Sequence, residues 1–132
     1  MISEGKIIKT LKGTNWAFNL LDISVVELIT DDDVELTIED AKEMVSSAYI
    51  FSCGERKLNL FIVGINTIAT VEALRYFSSE ESKNVSLADA IVIHSLGQRL
   101  LANFLIKLVK GSWPMKVFSN KDDALKWLIQ QK

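Results

Sequence analysis

The chain reads as an α/β protein on a mixed sheet: an N-terminal antiparallel hairpin, then parallel βα units, in the order ββαβαβαβα with an optional strand in front. Three observations point there. Leu58-Asn-Leu-Phe-Ile-Val-Gly-Ile is a short apolar run with no helical period, and it passes through Asn66-Thr67 into a helical pattern opening at Thr70-Val-Glu-Ala-Leu. A buried strand that feeds a helix through a short polar loop is the unit of a parallel sheet. The same succession recurs over 88–101 and over 115–127.

Residues 6–11 have the composition of a short strand, ended by Gly13-Thr14-Asn15. Trp16, Phe18 and Leu20 alternate with smaller or polar residues, as on a half-exposed strand. Asp22-Ile-Ser is a turn, and 25–29 is the returning strand. Thr37-Ile-Glu-Asp40 is a capping-box variant, in which hydroxyl and carboxylate each take an orphan amide. Ile38, Ala41, Met44, Val45 and Ala48 then share one helical face. After 53–57 come the strand 58–65, a helix over 71–77, a short continuation capped by Ser79, and a strand over 88–94. Residues 97–110 form a strongly apolar helix, which Gly111 ends in a left-handed conformation. A last strand covers 115–118, and Ser119 or Asn120 caps the final helix, which buries Ala124, Leu125 and Leu128.

At 132 residues the chain fits one domain, 1–132, large enough for a real core. A net charge of −2 provides no field to gather phosphates, which argues against nucleic-acid or anionic-membrane binding. Lys6, Lys9 and Lys12 are the nearest thing to a basic cluster, and in a strand they do not share one face. Cys53 is the sole cysteine, so no internal disulfide forms. The N-terminus lacks the pattern of a secretory leader, and no apolar run reaches the roughly 18 residues of a membrane span. These features fit a cytoplasmic protein without an integral membrane segment.

Three stretches carry a family resemblance: Val34-Glu-Leu-Thr-Ile-Glu-Asp-Ala-Lys, the Asn103-Phe104 pair, and 113–127, Trp-Pro-Met-Lys-Val-Phe-Ser-Asn-Lys-Asp-Asp-Ala-Leu-Lys-Trp. Together with the element order, they resemble the STAS domains of bacterial anti-sigma factor antagonists. They resemble more closely a group of small bacterial STAS-like proteins related in fold to CRAL-TRIO lipid-binding domains. The resemblance spans about residues 16 to 130 and implies a STAS-like fold and a regulatory role. Signalling STAS domains carry a phosphorylated serine in an Asp-Ser pair after a central strand. The equivalent place here reads Asn66-Thr67-Ile68-Ala69-Thr70, without that pair, and Thr70 is the nearest hydroxyl. It is the candidate phosphosite, set against the ordinary role of an N-cap.

Ligands of α/β sheets bind at the C-terminal strand ends. Thr67, Ser95, Gln98 and Arg99 stand at two such ends and are candidates for an anion or ligand loop. An arginine near a helix N-terminus wants a negative neighbour, such as Asp89 or a glutamate. His94 is the lone histidine, and its ordinary role is a bond to backbone. Metal binding needs several converging ligands, and none is suitably spaced. Cys53, beside Arg56 and Lys57, lacks a positioned base. Asp31-Asp32-Asp33 lacks the spacing of a calcium loop and reads as a solvated turn. No phosphate-loop motif accompanies Gly64. These residues predict no enzymatic activity, cofactor or metal.

The helix over 97–110 is apolar around most of its circumference, where a surface helix needs only one stripe. Adjacent helices, a partner, or an apolar ligand must cover the excess. Leu101, Phe104, Leu105, Leu108, Trp113 and Met115 are therefore candidates for a partner or apolar-ligand surface. The expectation is a non-catalytic interaction module working through protein contact, with a homodimer as the simplest case. The alternative is a carrier or sensor of a small apolar ligand such as an acyl chain.

Overall fold

In a computed structural model describing residues 5–132, the strands β1 (Ile7–Lys12), β2 (Trp16–Leu21) and β3 (Val25–Thr30) form an antiparallel meander. The two-residue β4 (Glu35–Leu36) and the helix α1 (Ile38–Phe51) follow, then β5 (Lys57–Ile62), β6 (Ile68–Ala69), α2 (Val71–Phe77) and α3 (Glu80–Lys83). The chain ends through β7 (Ser86–Val92), α4 (Leu96–Val109), β8 (Met115–Phe118) and α5 (Lys121–Ile129). The main sheet has the order β1-β2-β3-β5-β7-β8, and β3, β5, β7 and β8 run parallel. The optional first strand is thus a full member of the sheet. The pair β4 and β6, too short to leave a pattern in sequence, makes a separate two-stranded ladder. The expectation about a secretory leader bears on residues 1–4, which lie outside the described part.

From β3 onward the strands are added always toward the same edge. Right-handed crossovers then put every connecting helix on one face. Accordingly α1 packs Met44 and Phe51 against Trp16, Phe18 and Val26, and α4 packs Ala102, Leu105 and Val109 against Ile91 and Ile93. The other face is left to α5, whose Leu125 and Leu128 sit on Leu58, Leu60, Ala88 and Ala90. Alanines at 88 and 90 keep that face shallow enough for one helix to seat closely.

The helix boundaries follow local chemistry. Thr37 and Asp40 form both halves of the capping box, and Thr70, Ser95 and Asn120 each accept an amide of the first turn. Asn120, not Ser119, is the last cap, and α4 begins one residue earlier than expected. Its C-terminus turns through two left-handed residues, Lys110 and Gly111, rather than the glycine alone. Gly64 lies beyond β5 instead of within it.

The excess apolar surface of α4 is largely absorbed inside the chain. Leu101, Phe104 and Leu108 pack onto the cluster of Leu74, Ile91, Ile93 and Trp113. Leu105 and Trp113 are only 8% and 4% exposed, and Met115 is half-buried. Flanked by α2 and the β8 edge, Leu105 and Trp113 are buried, while Leu101, Phe104, Leu108 and Met115 stay partly exposed. What stays outside is Leu96 and Leu100, 72% and 63% exposed and one turn apart.

The turn between β1 and β2 is clamped from α1. Glu43 accepts the Thr14 N–H at 3.0 Å, the Trp16 Nε1–H at 2.7 Å and the Thr14 hydroxyl at 3.2 Å. The Thr14 amide above all, then Trp16 and the Thr14 hydroxyl, holds its carboxyl below the ordinary range, against partial desolvation and the charge of Asp40. A lowered carboxylate pKa gives stability that is present above the unfolded value and lost as pH falls through the folded one. Glu43→Gln should therefore lower stability slightly at neutral pH, since solvent screens a carboxylate this exposed, with the difference from wild type closing in acid. Urea denaturation at both pH values checks this, and a difference that persists undiminished in acid would contradict it.

Candidate functional site

Two loops meet at the C-terminal end of the parallel strands. Gly64 lies so close to the 30–33 turn that a Cβ there would fall 2.1 Å from the Asp31 carbonyl oxygen. Its N–H donates to Thr30 Oγ1 at 2.8 Å, and the Ile65 N–H donates to Asp32 Oδ1 at 2.7 Å. Asn66, in a left-handed conformation, donates from Nδ2 to Asp33 Oδ1 at 3.0 Å. The buried Thr67 hydroxyl donates to the Asp31 carbonyl. The three aspartates thus stitch one loop to the other, a more specific role than the solvated turn expected of them.

Gln98 closes the arrangement from α4. Its Nε2 donates to the carbonyls of Gly64 at 2.8 Å and Thr67 at 2.9 Å, and its Oε1 accepts the His94 N–H at 2.8 Å. Ser95 Oγ accepts the Gln98 N–H at 3.2 Å. Of the residues expected to greet an anion, Thr67, Ser95 and Gln98 are therefore brought together, but their polar groups are engaged with the backbone. Arg99 is half-buried and takes part in neither of the two ion pairs among the described residues, Lys57–Glu55 and Lys121–Glu27. Asp89, the partner suggested for it, is bonded elsewhere. Thr70 Oγ1 accepts the Ala73 N–H at 3.1 Å as the cap of α2. The side chains of His94 and Cys53 are exposed.

Between the sheet and the helices α1, α2 and α4 the side chains do not fill the space. Two chambers of about 60 and 80 Å³ share Phe61, Phe77, Ile91 and Leu105 as their common wall. The Phe61 and Phe77 rings meet edge to face with centroids 6.0 Å apart. The smaller chamber runs under Gln98 to Leu101 and to Ile68, which is exposed, so it reaches the surface between α2 and α4. Its lining is apolar apart from Thr67 and Gln98.

The larger chamber has a polar floor. Asn59 and Asp89 stand side by side in register on β5 and β7. Asn59 Nδ2 donates to Asp89 Oδ1 at 2.8 Å and to Ser86 Oγ at 3.2 Å, and Trp113 Nε1 donates to Asp89 Oδ2 at 2.8 Å. Burial raises the pKa of Asp89, and the donors Asn59, Trp113 and Ser86 oppose the rise only partly. Sequence reasoning missed this floor. The available signal was one polar residue in each of two otherwise apolar strands, Asn in 58–62 and Asp in 88–93.

Over residues 20–132 the chain matches the family described as Domain of unknown function (DUF7793). No curated protein matches it. Among solved structures it is similar to a protein of Shewanella loihica PV-4, described as an uncharacterized protein of the DUF3478 family with a SpoIIAA-like fold. The identity is 16%, the match covers 97% of this chain and 99% of that one, and the TM-score is 0.53. This likeness shows the fold, which is the STAS-like arrangement expected from the element order. Among the described residues no helix is long and apolar enough to cross a membrane.

Two predictions follow from the bonding. Gln98→Leu removes three buried bonds and should destabilise the protein by about 2–4 kcal/mol, seen as a lower urea midpoint. Asp89 binds its proton more tightly folded than unfolded, so its contribution to stability declines as pH rises through the raised pKa. Asp89→Asn lacks that decline, and the stability advantage of wild type over the variant should shrink as pH rises. An advantage that grows with pH would contradict the assignment.

Proposed function

This chain belongs to the DUF7793 family of domains of unknown function, so its role rests on the chemistry of its own cleft, and we propose that it is a non-catalytic module binding a small apolar ligand beneath α4. The observation that carries this is the pair of adjoining chambers, which share Phe61, Phe77, Ile91 and Leu105 as their common wall and are left open by the chain's own side chains. Core packing ordinarily excludes such voids, and a dry apolar cavity of about 150 Å³ accepts benzene, close to the two chambers taken together. The volumes favour an aromatic ring or a short or branched acyl group over a long chain, which would have to lift α4. The hydroxyl of Ser95 serves as a helix cap, and the polar groups of Thr67 and Gln98 are held by backbone. This supports a binding role rather than hydrolysis or transfer.

A second reading, protein contact with a homodimer as the simplest case, is favoured by the exposure of Leu96 and Leu100 along the outside of the same helix. Native mass spectrometry separates the two. A monomer with a small-molecule adduct supports the ligand, and a doubled mass without one supports the contact, in which case Leu100→Glu should split the dimer.

The chamber itself is tested by filling it. Ala102 lines the smaller chamber. Toluene should raise the melting temperature of wild type, and Ala102→Leu should abolish that rise while adding about 1 kcal/mol of stability. A wild-type protein indifferent to toluene would contradict the proposal.

A further inference from the structure

The strand β1 ends the sheet, with β2 on one side and no strand on the other among the described residues. All six of its residues are exposed, and they include three large apolar side chains, Ile7, Ile8 and Leu11. The opposite edge is different: β8 has only four residues and none is a large exposed apolar side chain. An open edge of this length presents a row of backbone donors and acceptors, which is a template for another strand.

The charges decide which strand. Lys6, Lys9 and Lys12 lie on or beside β1. The register sets Lys9 opposite Leu20, on the α1 face, and Lys12 opposite Ala17, on the α5 face. Positive charge therefore flanks the edge on both sides of the sheet. Lys9 lies with Nζ 4.8 Å from the Phe51 ring centroid and 3.3 Å from the Phe51 carbonyl oxygen, on the α1 face beside the edge strand. Two acidic groups lie nearby, at the two ends of β1, and both are bonded to the chain: Asp22 Oδ1 accepts the Lys6 N–H at 2.9 Å, and Glu43 accepts the Thr14 N–H at 3.0 Å. A second copy of β1 laid along this edge would set lysines against lysines, and like charges across strands are unfavourable. A strand carrying carboxylates would instead find a cation on either face and apolar neighbours between them.

We propose that the outer edge of β1 docks an extended, acidic segment of a partner protein as a seventh strand of the sheet. Backbone hydrogen bonds provide the general affinity. The lysines reject self-pairing and select acidic sequences, and Ile7, on the α5 face, and Leu11, on the α1 face, receive apolar side chains on either side of the added strand. The site is on the far side of the sheet order from the β7–β8 edge and is independent of the chambers beneath α4.

The test is a fluorescence-anisotropy titration with a labelled octapeptide of Glu-Glu-Val-Val repeats, which puts carboxylates on both faces of a strand, beside a peptide of Lys-Lys-Val-Val repeats. The acidic peptide should bind, more weakly at high salt, and Lys9→Glu/Lys12→Glu should weaken it about tenfold, as two lost surface pairs would. If that variant melts lower than wild type, Lys12→Glu alone should weaken binding about threefold. Hydrogen exchange should slow at β1 on binding. Equal binding of the basic peptide, no binding of either, or dimerisation of the protein through β1 would each overturn the proposal.

Discussion

The side chain of Gln98 holds together the loops at the C-terminal end of the parallel strands. One buried carboxamide ties α4 to the loop after β5, through the carbonyls of Gly64 and Thr67, and to the end of β7, through the His94 amide. Each of these backbone groups, left without a partner in an apolar setting, would cost about 1–3 kcal/mol. The bond set therefore fixes the start of α4, and with it the separation between that helix and the sheet. Gly64 contributes from below, because only a residue without a Cβ brings the loop against the Asp31 carbonyl. The chambers beneath α4 are what remains when a helix is pinned at its N-terminal turn and supported farther along by Phe61, Phe77 and Ile91.

A polar group crosses each face of the sheet. On the helical face, Asp89 takes donors from Asn59 and Trp113. On the α5 face, Thr10, Asn19 and Glu27 bond in sequence across β1, β2 and β3, and Lys121 of α5 completes the chain at 2.8 Å from Glu27. Neither group earns its place by strength alone, since desolvation offsets much of the attraction. What they add is register. A one-residue slip of β5 against β7, or of β2 against β3, would strand a carboxylate in an apolar layer. The floor of the larger chamber and the alignment of the strands that frame it thus come from the same side chains.

The elements were legible in the sequence because their signals are local. Thr37 with Asp40, Thr70 and Asn120 mark helix starts within four residues of the amides they cap. The alternation of Trp16, Phe18 and Leu20 and the apolar run after Lys57 mark strands in the same way. The site was less legible because its bonds are long-range. Gln98 looked like an anion donor, since it sits where α/β sheets commonly bind ligands; its partners Gly64 and Thr67 lie more than thirty positions away. Trp113 looked like a contact residue, since tryptophan favours interfaces, yet its indole N–H is turned inward to Asp89, 24 positions earlier. The apolar girth of α4 did announce that more than one layer must cover it. Which layer could not be read without knowing that α2 and β8 flank it.

Diffraction from crystals pressurised with xenon tests most directly whether the space beneath α4 is real and dry. Xenon fills apolar cavities without hydrogen bonds or charge, so an open chamber predicts a site between Phe61, Ile91 and Leu105. Crystals that take up no xenon there, with Phe77 and Leu105 closed into contact across the gap, would show that α4 seats fully on the sheet and that the cleft does not exist.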